Sequence, residues 1–69
     1  EFSDFISEAI RFNESCIQYA EKSLELWRSI PGGEANMEKA RESLDYHRTA
    51  IQSWRGKYRE RFGCPALNS

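Results

Sequence analysis

Pro31-Gly32-Gly33 stands close to the middle of the chain, and on either side of it apolar residues recur at spacings of three and four. That period is the helical one, and a proline followed by two glycines is a strong break between helices. A strand reading fails on the same residues, because the apolar positions do not alternate and valine, a favoured strand residue, is absent. The pattern predicts an all-α chain. It places one helix over residues 3–29 with Ser3 as N-cap, a turn at 30–34, a second helix over 35–62 stopped by Gly63, and a short tail over 63–69.

Each helix carries a seam. On the first it is Ile6, Ile10, Asn13, Ile17, Ala20, Leu24 and Trp27; on the second, Met37, Ala40, Leu44, His47, Ile51, Trp54 and Tyr58. A short connection makes consecutive helices antiparallel neighbours, and facing residue numbers must then add to a constant. Here the constant is 64 in every layer, from Trp27 with Met37 to Ile6 with Tyr58. Large also meets small where Leu24 faces Ala40 and Ala20 faces Leu44, so the two surfaces interdigitate. The expected architecture is an antiparallel two-helix hairpin, one domain across residues 1–69.

The first helix has a second apolar row, Phe5, Phe12, Cys16, Tyr19 and Leu26, rotated away from the seam. A two-helix contact does not cover both rows. The second row is symmetric about the middle of its helix: Phe5 and Leu26 lie equally far from the centre, as do Phe12 and Tyr19, with Cys16 at the midpoint. Two copies therefore match antiparallel about a two-fold axis, which makes a homodimeric four-helix bundle of two hairpins. A partner helix or a neighbouring domain is the other expected cover. Two paired hairpins resemble the plasmid-encoded RNA-binding Rop dimer in architecture alone, and no motif carries RNA-contacting residues across to this sequence.

Length limits chemistry. A chain of 69 residues buries only about 60% of its unfolded surface, which leaves no interior for a deep preorganised site. No Gly-rich phosphate loop, nucleophile elbow or paired-carboxylate constellation is present, so neither an enzyme nor a small-molecule substrate nor a cofactor is expected. His47, the single histidine, sits on a seam with Asn13 in the adjacent layer opposite. That reads as a register-setting polar pair in the core, and no metal site is expected. Cys16 and Cys64 lack C-x-x-C spacing and are too few for a disulfide framework, which points to a reducing, intracellular, cytoplasmic setting. In the hairpin they stand some sixteen helical positions apart, roughly 24 Å, too far for a bridge. No three consecutive residues are apolar, so no membrane span is expected.

Charge is polarised along the chain. Residues 1–45 hold ten acids and five bases, whereas residues 46–69 hold five bases and one acid. Arg41, Arg48, Arg55 and Arg59 recur on one face of the second helix, and Arg48, Arg55 and Arg59 are the candidate nucleic-acid contacts. The competing reading pairs them. The antiparallel arrangement sets the basic end beside Asp4 and Glu8, and Arg41 and Arg48 have Glu38 and Asp45 three positions back, while Arg55 and Arg59 have no acidic partner in their own helix. Gly56, a helical glycine, is expected to mark a close approach or a bend. The net charge of −1 removes any whole-chain attraction to nucleic acid. The leading expectation is a non-enzymatic interaction module, an adaptor or small regulatory protein that dimerises through its second stripe. The alternative is a nucleic-acid-binding regulator using the arginine row.

Overall fold

The structure is a computed structural model that describes residues 1–63. Helix α1 spans Phe2–Arg28 and α2 spans Glu34–Phe62; they pack side by side, with no strand among the described residues. The molecule measures 48 × 16 × 14 Å, a rod one helix pair thick.

The observed bounds fall within a residue of those read from the period, but the N-terminal cap differs. Ser3 lies inside α1 and caps nothing; Glu1 is the N-cap, its carbonyl accepting the Phe5 N–H at 3.1 Å, with no side-chain cap bond. At the other end Ser29 closes α1, its hydroxyl donating to the Leu26 carbonyl at 2.9 Å. The chain then reverses through Pro31, Gly32 and Gly33. Gly32 takes φ +80°, the left-handed region that suits glycine. Gly33 is needed for a different reason: a Cβ there would sit 2.5 Å from the Trp27 carbonyl oxygen, so the turn closes tightly only without a side chain. Gly63 ends α2 as expected, in the left-handed conformation at φ 71°, with its N–H on the Arg59 carbonyl at 2.7 Å. Cys64 and the rest of the expected tail lie outside the described residues.

Every position of both seams is buried or half-buried. Ile6 and Ile10 are the most enclosed, packed with Ile51 and flanked by Ile17, Trp54 and Tyr58. Each such aliphatic side chain contributes about 1.5–3 kcal/mol by leaving water. Towards the turn the core thins to Ala20, Ala40 and Leu44. The open end is closed by rings: Phe2 meets Phe62 at 6.4 Å between centroids, Tyr58 meets Phe62 at 4.6 Å, and the Arg61 guanidinium lies 5.3 Å from the Phe2 ring. Those contacts join the start of α1 to the end of α2, while the short turn sets the antiparallel sense.

Gly56 departs from expectation. A Cβ added there meets nothing within 4 Å among the described residues, and α2 runs through it, so no close approach among them requires a glycine.

Candidate functional site

The seam divides the hairpin into two flanks of different chemistry. At about 100° per residue, Phe5, Phe12, Cys16 and Tyr19 turn to one side of it, and Glu14 and Glu21 to the other.

On the first flank lie the exposed rings. Phe5 is 57% exposed, Phe12 65%, Tyr19 75% and Leu26 57%, while Cys16 is a half-buried free thiol. The row does not stand apart from α2 as its spacing alone implied. Phe5 sets its edge on Trp54 at 5.4 Å and Phe12 on His47 at 6.5 Å, and Tyr46, 70% exposed, packs on the far side of His47 at 5.1 Å. The result is an aromatic surface of two ring clusters drawn from both helices, Phe5 with Trp54 and Phe12 with His47 and Tyr46. Tyr46, His47 and Trp54 belong to it, although the sequence had placed His47 and Trp54 in the core and given Tyr46 no role. Nearer the turn the surface dips into a groove where the small residues Ala20, Ser23, Ala40 and Ser43 lie among Tyr19, Trp27, Asn36 and Lys39.

Beneath the rings is the polar pair. The Asn13 side-chain amide donates to the Ala9 carbonyl at 2.7 Å, which leaves its oxygen to accept. His47 Nδ1 lies 2.6 Å from that oxygen and is therefore the donor. The expected pairing of Asn13 with His47 holds, one layer away from the strict constant that would set His47 on Ile17. Both polar functions of Asn13 are satisfied, as its 6% exposure demands.

The second flank is ionic. Arg48 reaches Glu21 at 3.9 Å and Arg55 reaches Glu14 at 4.0 Å, two cross-helix pairs one heptad apart. The expected pairing of the basic end with Asp4 and Glu8 is not what forms. Asp4 lies 3.7 Å from the Glu1 ammonium, and among the described residues neither Asp4 nor Glu8 has an ion pair with α2. Arg48 likewise turns to Glu21 rather than to Asp45. Of the within-helix pairs only Arg41 with Glu38 forms as read, at 3.8 Å. The physical reason is angular: residues that flank a seam on the same side face each other, however the charges divide between the two ends. Arg48 and Arg55 thus stand in a row alternating in sign with glutamates; Arg59, further along, has no ion pair among the described residues.

No three His, Cys, Asp or Glu side chains among the described residues come together as a metal-holding group, and no helix is long and apolar enough to cross a membrane. The chain matches no protein-family model, no curated protein and no solved structure.

Proposed function

We propose that the chain is a non-enzymatic protein–protein interaction module, an adaptor or small regulatory protein, whose partner is a second copy of itself. The observation that carries this reading is the row Phe5, Phe12, Tyr19 and Leu26: one heptad apart, each more than half exposed, and superimposed on itself by a two-fold axis through the middle of α1. Covering that row in both copies buries on the order of 1,000 Å² in total, taking roughly 150–250 Å² for a large side chain. Specific interfaces begin at about that size.

Two further observations favour a second copy over an unrelated partner. Glu8 and Lys22 flank the row on the same side, both exposed and neither in an ion pair among the described residues. The two-fold axis sets Glu8 of one copy within a residue of opposite Lys22 of the other, twice by symmetry. The hairpin's own core is also slight, six buried apolar side chains among the described residues, two of them alanine. Chains below about 70–80 residues with so small a core need a further staple, and oligomerisation is one. The product is a four-helix bundle in which α1 packs antiparallel on its mate, with Phe12 of one copy over the Tyr19 rim of the other's groove.

Phe12→Asp tests this. Phe12 is 65% exposed in the hairpin, so aspartate is tolerated there and penalised only where a partner covers it. Light scattering should give a dimeric mass for the parent chain and a monomeric mass for the variant, with helix content retained by circular dichroism. A monomeric parent, or a dimeric variant, refutes the reading.

A further inference from the structure

Two local costs in α2 fall at one place. Gly56 is a glycine in a helix interior with open space where a side chain would stand, and Arg55 and Arg59 are like charges at the four-residue spacing where helix neighbours meet. Sequences break such local rules, without a gain in packing, at sites that serve something else. These residues border one hollow. Gln52, Arg55, Gly56 and Arg59 line a surface depression, and a second depression, bordered by Glu14, Arg48 and Ile51, adjoins it through the shared Gln52 and Arg55. From Arg48 to Arg59 this furrow runs roughly 16 Å at 1.5 Å per residue. We propose that the furrow binds the phosphate backbone of a double-stranded nucleic acid, with one phosphate seated over Gly56 between Arg55 and Arg59. This goes beyond the homodimer reading and does not depend on it, since the furrow lies on the flank opposite the exposed rings.

The charges favour an anion most at the open end. Glu21, Glu14 and Ser7 recur one heptad apart on α1. The two glutamates face Arg48 and Arg55 at 3.9 and 4.0 Å, but the next position of that row is a hydroxyl, so the carboxylates stop short of Arg59. Arg59 is exposed and has no ion pair among the described residues. Arg11, one turn before Glu14 and about 60° further from the seam, is also exposed and without an ion pair among them. Asp4, on the same outward side as Arg11, lies 3.7 Å from the Glu1 ammonium. After Asp45 the only acid in α2 is Glu60, which lies about 140° around the helix from Arg55. The pair of Arg48 with Glu21 is long and exposed, hence weak, and a guanidinium has five N–H donors, so a phosphate joins Arg48 beside Glu21.

The shape of the furrow selects the ligand. A single free phosphate would occupy one end of it, whereas phosphates follow one another about every 3.4 Å along each strand of a duplex, so several come within reach. All three cations of the row are arginines, whose planar fork matches phosphate oxygens in pairs. Single strands are held by stacking bases on rings, and neither depression is lined by a ring. A membrane-surface helix needs an apolar face beside its basic one, and here Phe5, Phe12 and Tyr19 lie on the other flank. The contacts are therefore to the backbone and carry no reading of base sequence.

The experiment is binding of labelled DNA and RNA duplexes of mixed sequence, by fluorescence anisotropy. Two to three phosphate contacts give a slope of about −2 to −3 for the logarithm of affinity against that of salt between 20 and 150 mM. Arg59→Gln removes one contact and should weaken binding about tenfold at the lowest salt, with the slope reduced by about one. Gly56→Leu alters no charge but fills the hollow; it should lose the same phosphate and weaken binding about tenfold, while melting no lower than the parent because leucine is the better helix former. Should Gly56→Leu lose helix content, Arg59→Gln, at an exposed position, decides alone. A parent that binds neither duplex at 20 mM salt, an affinity indifferent to salt, or folded variants that bind like the parent overturn the proposal. Equal affinity for a polyglutamate peptide overturns it in favour of an acidic protein segment, and equal affinity for phosphatidylserine vesicles in favour of a membrane. A monomeric parent that binds duplex refutes the homodimer reading alone; a dimeric parent that does not bind refutes this proposal alone.

Discussion

Replacing Gly33 by alanine isolates the one place where the hairpin depends on the absence of a side chain. Gly33 is buried at φ −85°, a conformation open to any residue, so backbone preference is not the obstacle. The obstacle is the Trp27 carbonyl oxygen, 2.5 Å from the position of the added Cβ, with the Ile30 oxygen at 3.1 Å. The oxygen must retreat by at least 0.5 Å to reach 3.0 Å, the edge of what real Cβ atoms show. Neither atom is a flexible side-chain end. Trp27 O accepts the Ile30 N–H at 3.2 Å, and Ile30 O accepts the Gly33 N–H at 3.1 Å, so the shift strains the two bonds that hold the turn. Overpacking of this kind costs about 1–3 kcal/mol, and a lost hydrogen bond adds about 1. The restricted unfolded chain returns about 0.4–1. A net loss of about 2–3 kcal/mol corresponds to a melting temperature about 10–20 °C lower in a domain of this size. Thermal melts by circular dichroism at one fixed chain concentration measure it. Gly32→Ala is the control, with φ +80° but open space around its Cβ, and should cost only about 1–2 kcal/mol. A Gly33→Ala chain that melts within a few degrees of the parent, or above Gly32→Ala, refutes the steric argument.

Two further substitutions have expected signs. Gly56→Ala should raise stability by about 1 kcal/mol, because its Cβ enters open space in a helix interior; a lower melting temperature would mean that something outside the chain approaches there. The double change Glu14→Gln with Glu21→Gln removes both cross-helix pairs at 4.0 and 3.9 Å, and should cost no more than about 1 kcal/mol, shrinking as salt rises. Melts at low and high ionic strength check it, and a larger, salt-independent loss would show that those glutamates do more than pair with arginines. In the same variant two negative charges beside the arginine row are gone, so binding of a polyanion measured by fluorescence anisotropy should strengthen and weaken again with salt; equal binding by parent and variant would show that the glutamates do not screen the row.

The seam was legible because it obeys two arithmetic constraints at once, a spacing of three and four along each helix and a constant sum across the turn. Burial of Ile6, Ile10, Ala20, Ala40, Leu44 and Ile51 follows from them. Rotation about the helix axis was legible for apolar residues, since it separated Phe5, Phe12 and Tyr19 from the seam. It was not applied to the charges. Counting acids at one end and bases at the other gave Asp4 and Glu8 as partners, whereas the side of the seam on which a charge falls selects Glu14 and Glu21. The same neglect hid the α2 half of the aromatic surface. His47 and Trp54 lie at the seam edge nearest Phe12 and Phe5, so they serve the core with one side and the face with the other. The Ser3 cap failed for a more local reason: a residue three positions into the chain can be a cap or a first-turn residue, and Phe2, the one apolar residue before it, fits both readings.

That rings and ion pairs occupy opposite flanks of one seam bears on how many copies a closed assembly can hold. A two-fold interface uses the aromatic flank of each hairpin once and is complete, because each patch is its own complement. The flank left outside then carries Glu14, Glu21, Arg48 and Arg55 in alternating sign. Adding a third hairpin would have to bury that ionic flank, at a desolvation cost that pairs of this length do not recover. The separation of the two chemistries is thus what would limit the assembly to two.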